Sequence, residues 1–366
     1  MTSHPEFGQT TTATEVAKAF SSQIRNKNVV ITGVAPNSLG QAMALAIASQ
    51  HPAKLILASR TKEKLEQVAQ EIYNATPKAK EAGTIEIVAL DLSSQRSVEQ
   101  AAAQIAATVD TVDVLINNAG VMVLTPQRTA EGIELQFGTN YLGHFLFTLL
   151  LLRQLRNAAA KPGVVGGSTR VVNVTSAGHR LSPIRFHDYN IEGKEVPPEE
   201  QPPPGITAVY GKAGEYNGWL AYGQSKTANI LFSVYLSQKL REKGIVSYAT
   251  HPGSIWTNLS RHLDDKGTEI IAKTGTYWKS LDEGAATMLV AAFDPALNGT
   301  PPTPHIHIDC TVLYMLTPAE PPDPSDVYLS DCQFAQAASF ALDVHAAERL
   351  YRLSEELVRR TFDLEG

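Results

Sequence analysis

A tyrosine and a lysine four residues apart, Tyr222 and Lys226 in GWLAYGQSK, are suited by type and spacing to move a proton. Four residues make about one helical turn, so on a helix both side chains lie on the same face. A free phenol titrates near ~10, and an ammonium one turn away favours the phenolate and lowers that pKa. The spacing alone is more typical of an exposed Tyr/Lys pair on a solvated helix, so the rest of the chain has to decide.

A glycine-containing turn, ITGVAPNSLGQA, lies where a predicted first strand meets a predicted first helix. Backbone N–H groups and the helix N-terminus at such a turn can face a pyrophosphate. We therefore expect Gly33, Asn37, Ser38, Leu39 and Gly40 to bind a dinucleotide, with the Ser38 hydroxyl available to a phosphate. The glycine pattern is imperfect, so a plain structural turn is the alternative.

Ser59 and Arg60 end the second predicted strand. An NAD site would carry Asp or Glu near this point, to bind the ribose 2′-hydroxyl. A hydroxyl and a guanidinium instead suit a 2′-phosphate, because Arg forms bidentate, charge-assisted bonds to phosphate oxygens. Basic residues that merely open a solvated helix are the alternative. The sequence predicts a preference for NADP(H) over NAD(H).

Two further strand ends carry polar side chains. Asp91 follows the third strand in LDLS, where its carboxylate could accept a hydrogen bond from an adenine amino group, and Asn118 follows the fourth strand in NNAG. Ligands of open α/β sheets bind outside the carboxyl ends of the strands. We expect both residues to belong to the cofactor site.

Strands alternate with helices along most of the chain. NVVITG (28–33) and STRVVNVTSAG (168–178) are typical of buried strands, and AYGQSKTANILFSVYLSQKLREKG (221–244) predicts a long helix. Such alternation implies right-handed βαβ crossovers and a parallel sheet covered on both faces. We predict an α/β fold, a doubly wound parallel sheet forming a single domain at 28–366 and ending in a C-terminal helix. An extension with a short helix precedes it at 1–27, and Pro- and Gly-rich insertions fall at about 193–218 and 300–325.

Composition limits the classes of function. The chain has 366 residues, 43% of them hydrophobic, a formal charge of −6 and a pI near 5.9, which leaves no electrostatic footprint for nucleic acid. Its two cysteines are too few for a disulfide framework and suit a reducing compartment. No signal peptide is visible, and the longest apolar run, FLFTLLLL, is far shorter than the ~20 residues of a membrane span. We expect a cytoplasmic protein without a membrane anchor.

Five motifs, ITG…LG, NNAG, NVTSAGH, LAYGQSK and HPGSIWT, occur in the order and approximate spacing of the short-chain dehydrogenase/reductase family, which this sequence resembles. The likeness covers about residues 14–295 and is to the retinol-dehydrogenase-like and WW-domain-oxidoreductase-like branch, without a WW domain or membrane anchor. It implies a Rossmann-type fold. It also implies hydride transfer between a nicotinamide cofactor and a ketone, aldehyde or alcohol.

The resemblance implies a catalytic set. Tyr222 matches the acid/base tyrosine, Lys226 its lysine, Ser176 the serine that holds the substrate oxygen, and Asn140 the asparagine of a water-mediated proton relay. Lys226 and the positive charge of oxidised nicotinamide would together lower the pKa of Tyr222, and Lys226 would also hold the nicotinamide ribose.

The same resemblance places the nicotinamide end of the cofactor in HPGSIWT. Pro252 and Gly253 match the turn beside the nicotinamide ring, and Thr257 matches the threonine that bonds the carboxamide. We expect Ile255 to contact the cofactor as well.

These observations predict an NADP(H)-dependent oxidoreductase for a small lipophilic carbonyl compound or alcohol, in a tailoring or detoxifying role such as secondary metabolism. A catalytically silent, cofactor-sensing regulator is the alternative that the intact catalytic set argues against. A nucleotide-sugar epimerase or dehydratase would need a separate sugar-nucleotide domain. Family members commonly dimerise through the helices that hold Asn140 and Tyr222, so a homodimer or homotetramer is expected.

The stretch HIHID would place His305, His307 and Asp309 on one face of a strand, as metal ligands could be. A half-buried strand with a polar face is the more common cause of such alternation, so we predict no metal site. The surrounding segment 300–325 interrupts the family pattern, either as a lid-like insertion or as an artefact of how the gene was read. The 193–218 loop is expected near the site, with no role assigned to its tyrosines.

Overall fold

The computed structural model describes residues 1–205, 214–257, 259, 263–273, 275–298 and 324–365. Its sheet has the strand order β3-β2-β1-β4-β5-β6-β7-β8. All neighbours pair in parallel except the short hairpin of β7 and β8. The strands are β1 (Asn28–Thr32), β2 (Lys54–Ser59), β3 (Ile85–Ala89), β4 (Val114–Asn117), β5 (Thr169–Val174), β6 (Ile245–His251), β7 (Tyr328–Ser330) and β8 (Gln333–Phe334).

Helices connect the parallel strands and cover both faces of the sheet. They are α1 (Ala13–Ala19), α2 (Ser21–Ile24), α3 (Leu39–Ala48), α4 (Lys62–Ala75), α5 (Pro77–Glu81), α6 (Gln95–Thr108), α7 (Gly143–Leu150), α8 (Leu152–Ala159), α9 (Gly218–Leu240), α10 (Asp265–Ala272), α11 (Leu281–Phe293) and α12 (Val344–Val358). A π-helix spans Phe137–Leu142, directly before α7. Short 3₁₀ turns lie at Ala177–Leu181, Pro198–Glu200, Arg241–Lys243, Pro295–Leu297, Pro324–Val327 and Ser339–Ala341.

Two hydrophobic cores lie on opposite faces of the sheet. One packs the strands against α6, α7, α9 and α12, and the other packs them against α1, α3, α4 and α11. Burial on both faces explains why β1 and β5 are almost uniformly apolar instead of alternating. The predicted doubly wound α/β sheet is confirmed.

The N-terminal extension packs along α11 instead of projecting from the domain. The Ser3 N–H donates to Asp294 Oδ2 at 2.8 Å, and Thr14 Oγ1 donates to Asp282 Oδ2 at 2.9 Å. The side chain of Gln333 in β8 donates to the carbonyl oxygens of His4 and Phe7. These bonds tie the start of the chain to its last strand.

The C-terminal helix covers the outer face of α7 and α9. The Tyr351 ring of α12 stacks on Tyr235 of α9 at 4.2 Å between centroids, and meets Phe145 of α7 edge-on at 5.2 Å. Tyr141 and Ser354 join through a buried hydrogen bond of 2.6 Å. The surface through which related chains are expected to dimerise is therefore occupied by this chain's own helix.

The strand order places the site. From β1 the chain first adds β2 and β3 on one side of the sheet and then β4 to β8 on the other. Because the connections leave β1 and β4 in opposite directions, a crevice opens at the carboxyl ends of these two strands. Within the described ranges, no helix has the length and apolar character needed to cross a bilayer. Residues 206–213, with Tyr210, and 299–323, with the HIHID stretch, lie outside the described residues.

Candidate active site

A cleft of about 940 Å³ runs along the carboxyl ends of the parallel strands, between β2 and β6. Most residues that the sequence singles out lie on its wall: Gly33, Ser38, Leu39, Ser59, Arg60, Asn118, Ser176, Tyr222, Lys226, Ile255 and Thr257. Asn37, Gly40, Asp91 and Asn140 belong to the surrounding structure instead, and each is placed below.

The turn after β1 brings backbone close to backbone. Gly33 has a φ of 74°, and a Cβ there would lie 2.6 Å from Ala119 Cα. Gly40 supports the turn from behind, because a Cβ there would lie 2.6 Å from the Gly33 carbonyl oxygen. Asn37 adopts the left-handed backbone (φ 56°) that its type tolerates. The N-terminus of α3 therefore opens directly into the cleft.

The Ser38 hydroxyl differs from its expected role. It caps α3, accepting from the Gln41 N–H at 3.2 Å, and donates to the Ala35 carbonyl oxygen at 2.6 Å. The hydroxyl has one proton, which it donates to the Ala35 carbonyl oxygen. In this rotamer it therefore does not offer the expected hydrogen bond to a phosphate. The capping bond follows from the preference of Ser for the N-cap position.

The end of the cleft next to β2 is cationic. Ser59, Arg60 and Thr61 lie on its wall at the end of the strand, and Lys64 joins them from the first turn of α4. Two positive side chains and two hydroxyls suit an anionic group such as a phosphate. This is the end at which the sequence predicts the adenosine 2′-phosphate.

Asp91 does not lie on the described cleft wall. Its Oδ1 accepts hydrogen bonds from Ser93 N–H at 3.0 Å and from Ser93 Oγ at 2.6 Å, so the carboxylate turns back on its own loop. Asp commonly binds the backbone two residues on in this way. The flanking Leu90 and Leu92 line the cleft. The two hydrogen bonds engage Oδ1, and the contact between Asp91 and an adenine amino group stays a prediction.

Tyr222, Ser176 and Lys226 meet where β5 ends beside α9. Tyr222 is hydrogen-bonded to the Ser176 side chain. Lys226 Nζ lies 5.6 Å from the centre of the Tyr222 ring and donates to the Val174 carbonyl oxygen at 3.1 Å. Asn217 caps the N-terminus of α9, so the helix already begins at Gly218, ahead of Tyr222. The side chains of Tyr222 and Lys226 therefore both line the cleft, as their spacing predicts.

Burial, and not the lysine, dominates the protonation of this group. Burial raises the pKa of Tyr222 to about 12, against a smaller lowering by the hydrogen bond from Ser176. Burial also lowers the pKa of Lys226 to about 8. The lowering of the Tyr222 pKa that Lys226 and oxidised nicotinamide are together expected to cause stays a prediction, and in the chain by itself burial outweighs any effect of the lysine. The reason is that the apolar surroundings disfavour the charged form of both groups.

Asn140 lies behind the cleft wall, fully buried in the π-helix. Its Nδ2 donates to the Val121 carbonyl oxygen at 3.0 Å and to Ser225 Oγ at 3.0 Å, and its Oδ1 accepts from the Val121 N–H at 2.7 Å. The side chain thus joins the loop after β4 to α9, next to Lys226. π-turns inside helices are often found at functional sites.

His144 connects this π-helix to the end of β1. Its Nδ1 bonds the Asn140 carbonyl oxygen at 3.0 Å, and its Nε2 bonds Thr32 Oγ1 at 2.8 Å. Thr32 Oγ1 also accepts from the N–H groups of Asn118 and Ala119, so it donates its own proton to the histidine. Burial lowers the pKa of His144 to about 4, which keeps the ring neutral.

The opposite end of the cleft is apolar. Met122, Trp219 and Tyr222 form a buried cluster, against which pack Leu124, Leu181, Leu259, Leu263, Ile270 and Ile271. Trp278 also lines the cleft, backed by Trp256 in a stack of 4.5 Å between ring centroids. In the described part of the 193–218 loop, Tyr216 donates to Glu134 Oε1 at 2.9 Å. Trp219, just beyond that loop, reaches the cleft itself.

Thr139 is a cleft residue that the sequence reasoning missed. It is 7% exposed, and its hydroxyl has no hydrogen-bond partner among the described residues. A buried hydroxyl without a partner is uncommon, so a polar ligand group or a water would satisfy it. Its position next to Asn140 is the signal that could have identified it. The tight glycine turn, the cationic end and this hydroxyl together fit an extended dinucleotide.

Comparison with known proteins agrees with this geometry. The family model described as short chain dehydrogenase matches residues 27–190. The chain is 38% identical over 255 residues to "Oxidoreductase fscI" of Fusarium equiseti, covering 68% of this chain and 95% of that protein. It is 32% identical over 336 residues to retinol dehydrogenase 12 of Mus musculus, covering 92% and 87%.

Among solved structures, an uncharacterised protein from Mycobacterium paratuberculosis is 28% identical, with a TM-score of 0.57 over 93% of this chain and 96% of that one. The family activity is oxidoreduction between carbonyl and alcohol groups with a nicotinamide cofactor. The chain belongs to the short-chain dehydrogenase/reductase family, as an oxidoreductase of the retinol-dehydrogenase-like branch.

Proposed function

We propose that this protein interconverts a small lipophilic ketone or aldehyde and its alcohol, with NADP(H) preferred over NAD(H) and with Tyr222 as the acid/base. The observation that carries the proposal is the position of Tyr222, hydrogen-bonded to Ser176, between a cationic and an apolar end of one cleft. A cytoplasmic location and a role in secondary metabolism stay predictions.

The cationic end of the cleft suits the cofactor, and the apolar end suits the substrate. Arg60 and Lys64 supply positive charge where the adenosine portion is expected, and a 2′-phosphate would gain charge-assisted hydrogen bonds there. The wall near Tyr222 is mostly aliphatic and aromatic, so it favours a substrate with apolar surface. His251, which also lines the cleft, adds no charge near neutral pH because burial lowers its pKa to about 4.

The cofactor, when bound, supplies or accepts the hydride at the substrate carbon. Ser176 orients the substrate oxygen, and Tyr222 donates a proton to that oxygen in reduction or accepts the hydroxyl proton in oxidation. Lys226 holds a positive charge beside the phenol ring and ties α9 to the end of β5, and Asn140 ties α9 to the loop after β4. Gly33, Leu39, Asn118, Ile255 and Thr257 are the residues that would hold the cofactor.

The test is a screen of neutral ketones, aldehydes and alcohols with the purified protein, followed through the absorbance of reduced nicotinamide. NADPH and NADH are compared at equal concentration. Carbonyl-dependent oxidation of NADPH that is lost in Tyr222→Phe would support the proposal. Equal kcat/KM with both cofactors would contradict the preference, and activity retained in Tyr222→Phe would contradict the role of the tyrosine.

A further inference from the structure

Lys279 is a buried cation that lies outside the described cleft wall. It precedes α11, and its side chain is 1% exposed. Its Nζ lies 2.6 Å from Asp331 Oδ1 in the turn between β7 and β8, and its backbone N–H donates to the Ser254 carbonyl oxygen at 2.9 Å. A charge this buried is costly unless it is paired, so the position calls for an explanation.

The stem of Lys279 packs under the turn that follows β6. Gly253 has a φ of 88°, and a Cβ there would lie 2.8 Å from Lys279 Cε and 2.9 Å from Cδ. Gly253 and Ser254 line the cleft on the opposite side of this contact. The lysine therefore supports the backbone of the turn from behind without touching a ligand.

Asp331 reaches this position through a tight hairpin. Asp331 and Cys332 have φ values of 48° and 64°, the left-handed backbone that both central residues of a two-residue hairpin turn commonly adopt. Asp tolerates this conformation well, whereas a cysteine there needs surrounding contacts to hold it. Here Thr287 Oγ1 accepts from the Cys332 N–H at 3.1 Å, and Lys279 pairs with Asp331.

The register of the sheet brings the hairpin next to the turn. His251, the last residue of β6, pairs with Ser330, the residue before Asp331. Three segments thus meet behind the cleft: the end of β6, the start of α11 and the β7–β8 turn. Arg60 directly follows β2 and Lys64 lies in α4, so the cationic end is built from separate elements.

We propose that Lys279 and Asp331 form a positioning pair that fixes the Pro252–Gly253 turn to receive the nicotinamide end of the cofactor and leaves the adenosine end unaffected. The inference rests on the proposed function. The ion pair fixes the lysine stem, the stem fixes the Gly253 backbone, and this backbone belongs to the same cleft wall as Tyr222. The tight turn of the hairpin places the Asp331 carboxylate in reach of the ammonium.

Ligand binding by calorimetry tests the proposal without turnover. The ligands are NADP⁺ and 2′,5′-ADP, which has the adenosine portion but no nicotinamide. Lys279→Met keeps the apolar stem and removes the ammonium. We expect its Kd for NADP⁺ to rise by about tenfold or more, since small misplacements at a site have large effects. Its Kd for 2′,5′-ADP should stay within about twofold of the unmodified protein.

Two further variants control the result. Arg60→Leu should weaken both ligands, because it acts at the end that they share. The double variant Lys279→Met/Asp331→Asn removes both charges, leaves none unpaired, and should reproduce the NADP⁺ effect of Lys279→Met. Thermal unfolding of each variant, measured alongside, separates local from global effects.

Lys279→Met that binds NADP⁺ as tightly as the unmodified protein would overturn the proposal. Equal weakening of both ligands would also overturn it, because the pair would then support the fold as a whole. Unmodified protein that binds neither ligand would overturn the proposed function itself, together with this inference.

Discussion

Tyr222 is a weak acid in this chain, and that sets the direction of its pH dependence. Its pKa is raised to about 12 by burial, so the phenol stays protonated across the neutral range. Reduction needs the protonated phenol and should not slow through Tyr222 between pH 7 and 9. Alcohol oxidation needs the phenolate, so its rate should rise with pH over the same range. Initial rates in both directions, in buffers of constant ionic strength, check this.

Tyr222→Phe removes only the hydroxyl that passes the proton. Positioned acid/base groups typically contribute about 10²–10⁴ in rate, so kcat should fall by that order while NADPH still binds. Tyr73→Phe on α4, far from the cleft, is the matched control and should leave kcat unchanged. Single-turnover rates and NADPH fluorescence measure the two effects separately. A loss of NADPH binding equal to the loss of rate would contradict a purely chemical role.

Arg60 is expected to select the phosphorylated cofactor. Hydrogen bonds to charged groups are worth about 1.5–3 kcal/mol, so Arg60→Leu should raise the KM for NADPH by about 10- to 100-fold and change that for NADH little. Lys62→Met is the control, because Lys62 is exposed, lies outside the described cleft wall and pairs with Glu66 instead. Steady-state KM values of both variants for NADPH and NADH test this prediction. Equal increases for NADPH and NADH would argue against recognition of a 2′-phosphate.

The four-residue spacing predicted that Tyr222 and Lys226 share one helix face, but the spacing alone was more typical of an exposed pair. The ordered motifs, and the resemblance that they carry, predicted the catalytic arrangement. They could not predict the pKa values, which depend on how much water the folded chain leaves around each group. The hydrogen bonds of the Asp91 carboxylate to Ser93 were not predicted for a related reason. A short polar side chain can bind the backbone of its own loop, and only the folded loop shows that it does.

At the level of elements, three buried histidines hold loops to the sheet in their neutral form. His144 joins the π-helix to β1, His179 accepts from the Ala338 N–H, and His251 accepts from the Ala177 N–H. Burial lowers the pKa of each to about 4. The unfolded chain therefore binds more protons than the folded one between pH 6.5 and 4.

The free energy of unfolding should fall as pH drops through this window, by about 1.4 kcal/mol per pH unit for each histidine. The raised pKa of Glu134 acts in the opposite direction at acidic pH. His144→Gln removes one of these three histidines, so its deficit in the free energy of unfolding should shrink from pH 7.5 to 5.0. His345→Gln, at an exposed position, is the matched control. Urea unfolding at several pH values measures this. A constant deficit would mean that His144 does not titrate as stated.

The strands and long helices followed from hydrophobic pattern, since a parallel sheet buried on both faces needs uninterrupted apolar runs. The π-helix at 137–142 did not, because an inserted residue changes the hydrogen-bond pattern without changing the residue types. The contact of Lys279 with Gly253 joins segments that are distant along the chain from Asp331. No local pattern encodes such a meeting, which depends on sheet register.

At the scale of the whole molecule, α12 covers the surface of α7 and α9 through which the resemblance led us to expect a partner. The predicted homodimer or homotetramer would have to form through another surface or displace this helix. Tyr351→Ala removes the ring that contacts Tyr235 and Phe145, and such a loss of a buried aromatic typically costs about 3–5 kcal/mol. Arg352→Ala, exposed on the same helix, should cost under about 1 kcal/mol.

Denaturant unfolding compares the two variants, and light scattering reports their mass. If the unmodified protein dimerises while α12 stays protected from proteolysis, the dimer interface lies on a surface other than that of α7 and α9. If Tyr351→Ala had no effect on stability, the packing of α12 described above would be contradicted.

The order of α7, α9 and α12 along the chain has a consequence for biosynthesis. Because α12 is synthesised after both other helices, their aromatic surface has no cover until α12 has left the ribosome, although the strands beneath it are already made. A chain truncated before α12 would keep its sheet strands and expose an adhesive flank, a natural target for chaperones and proteases.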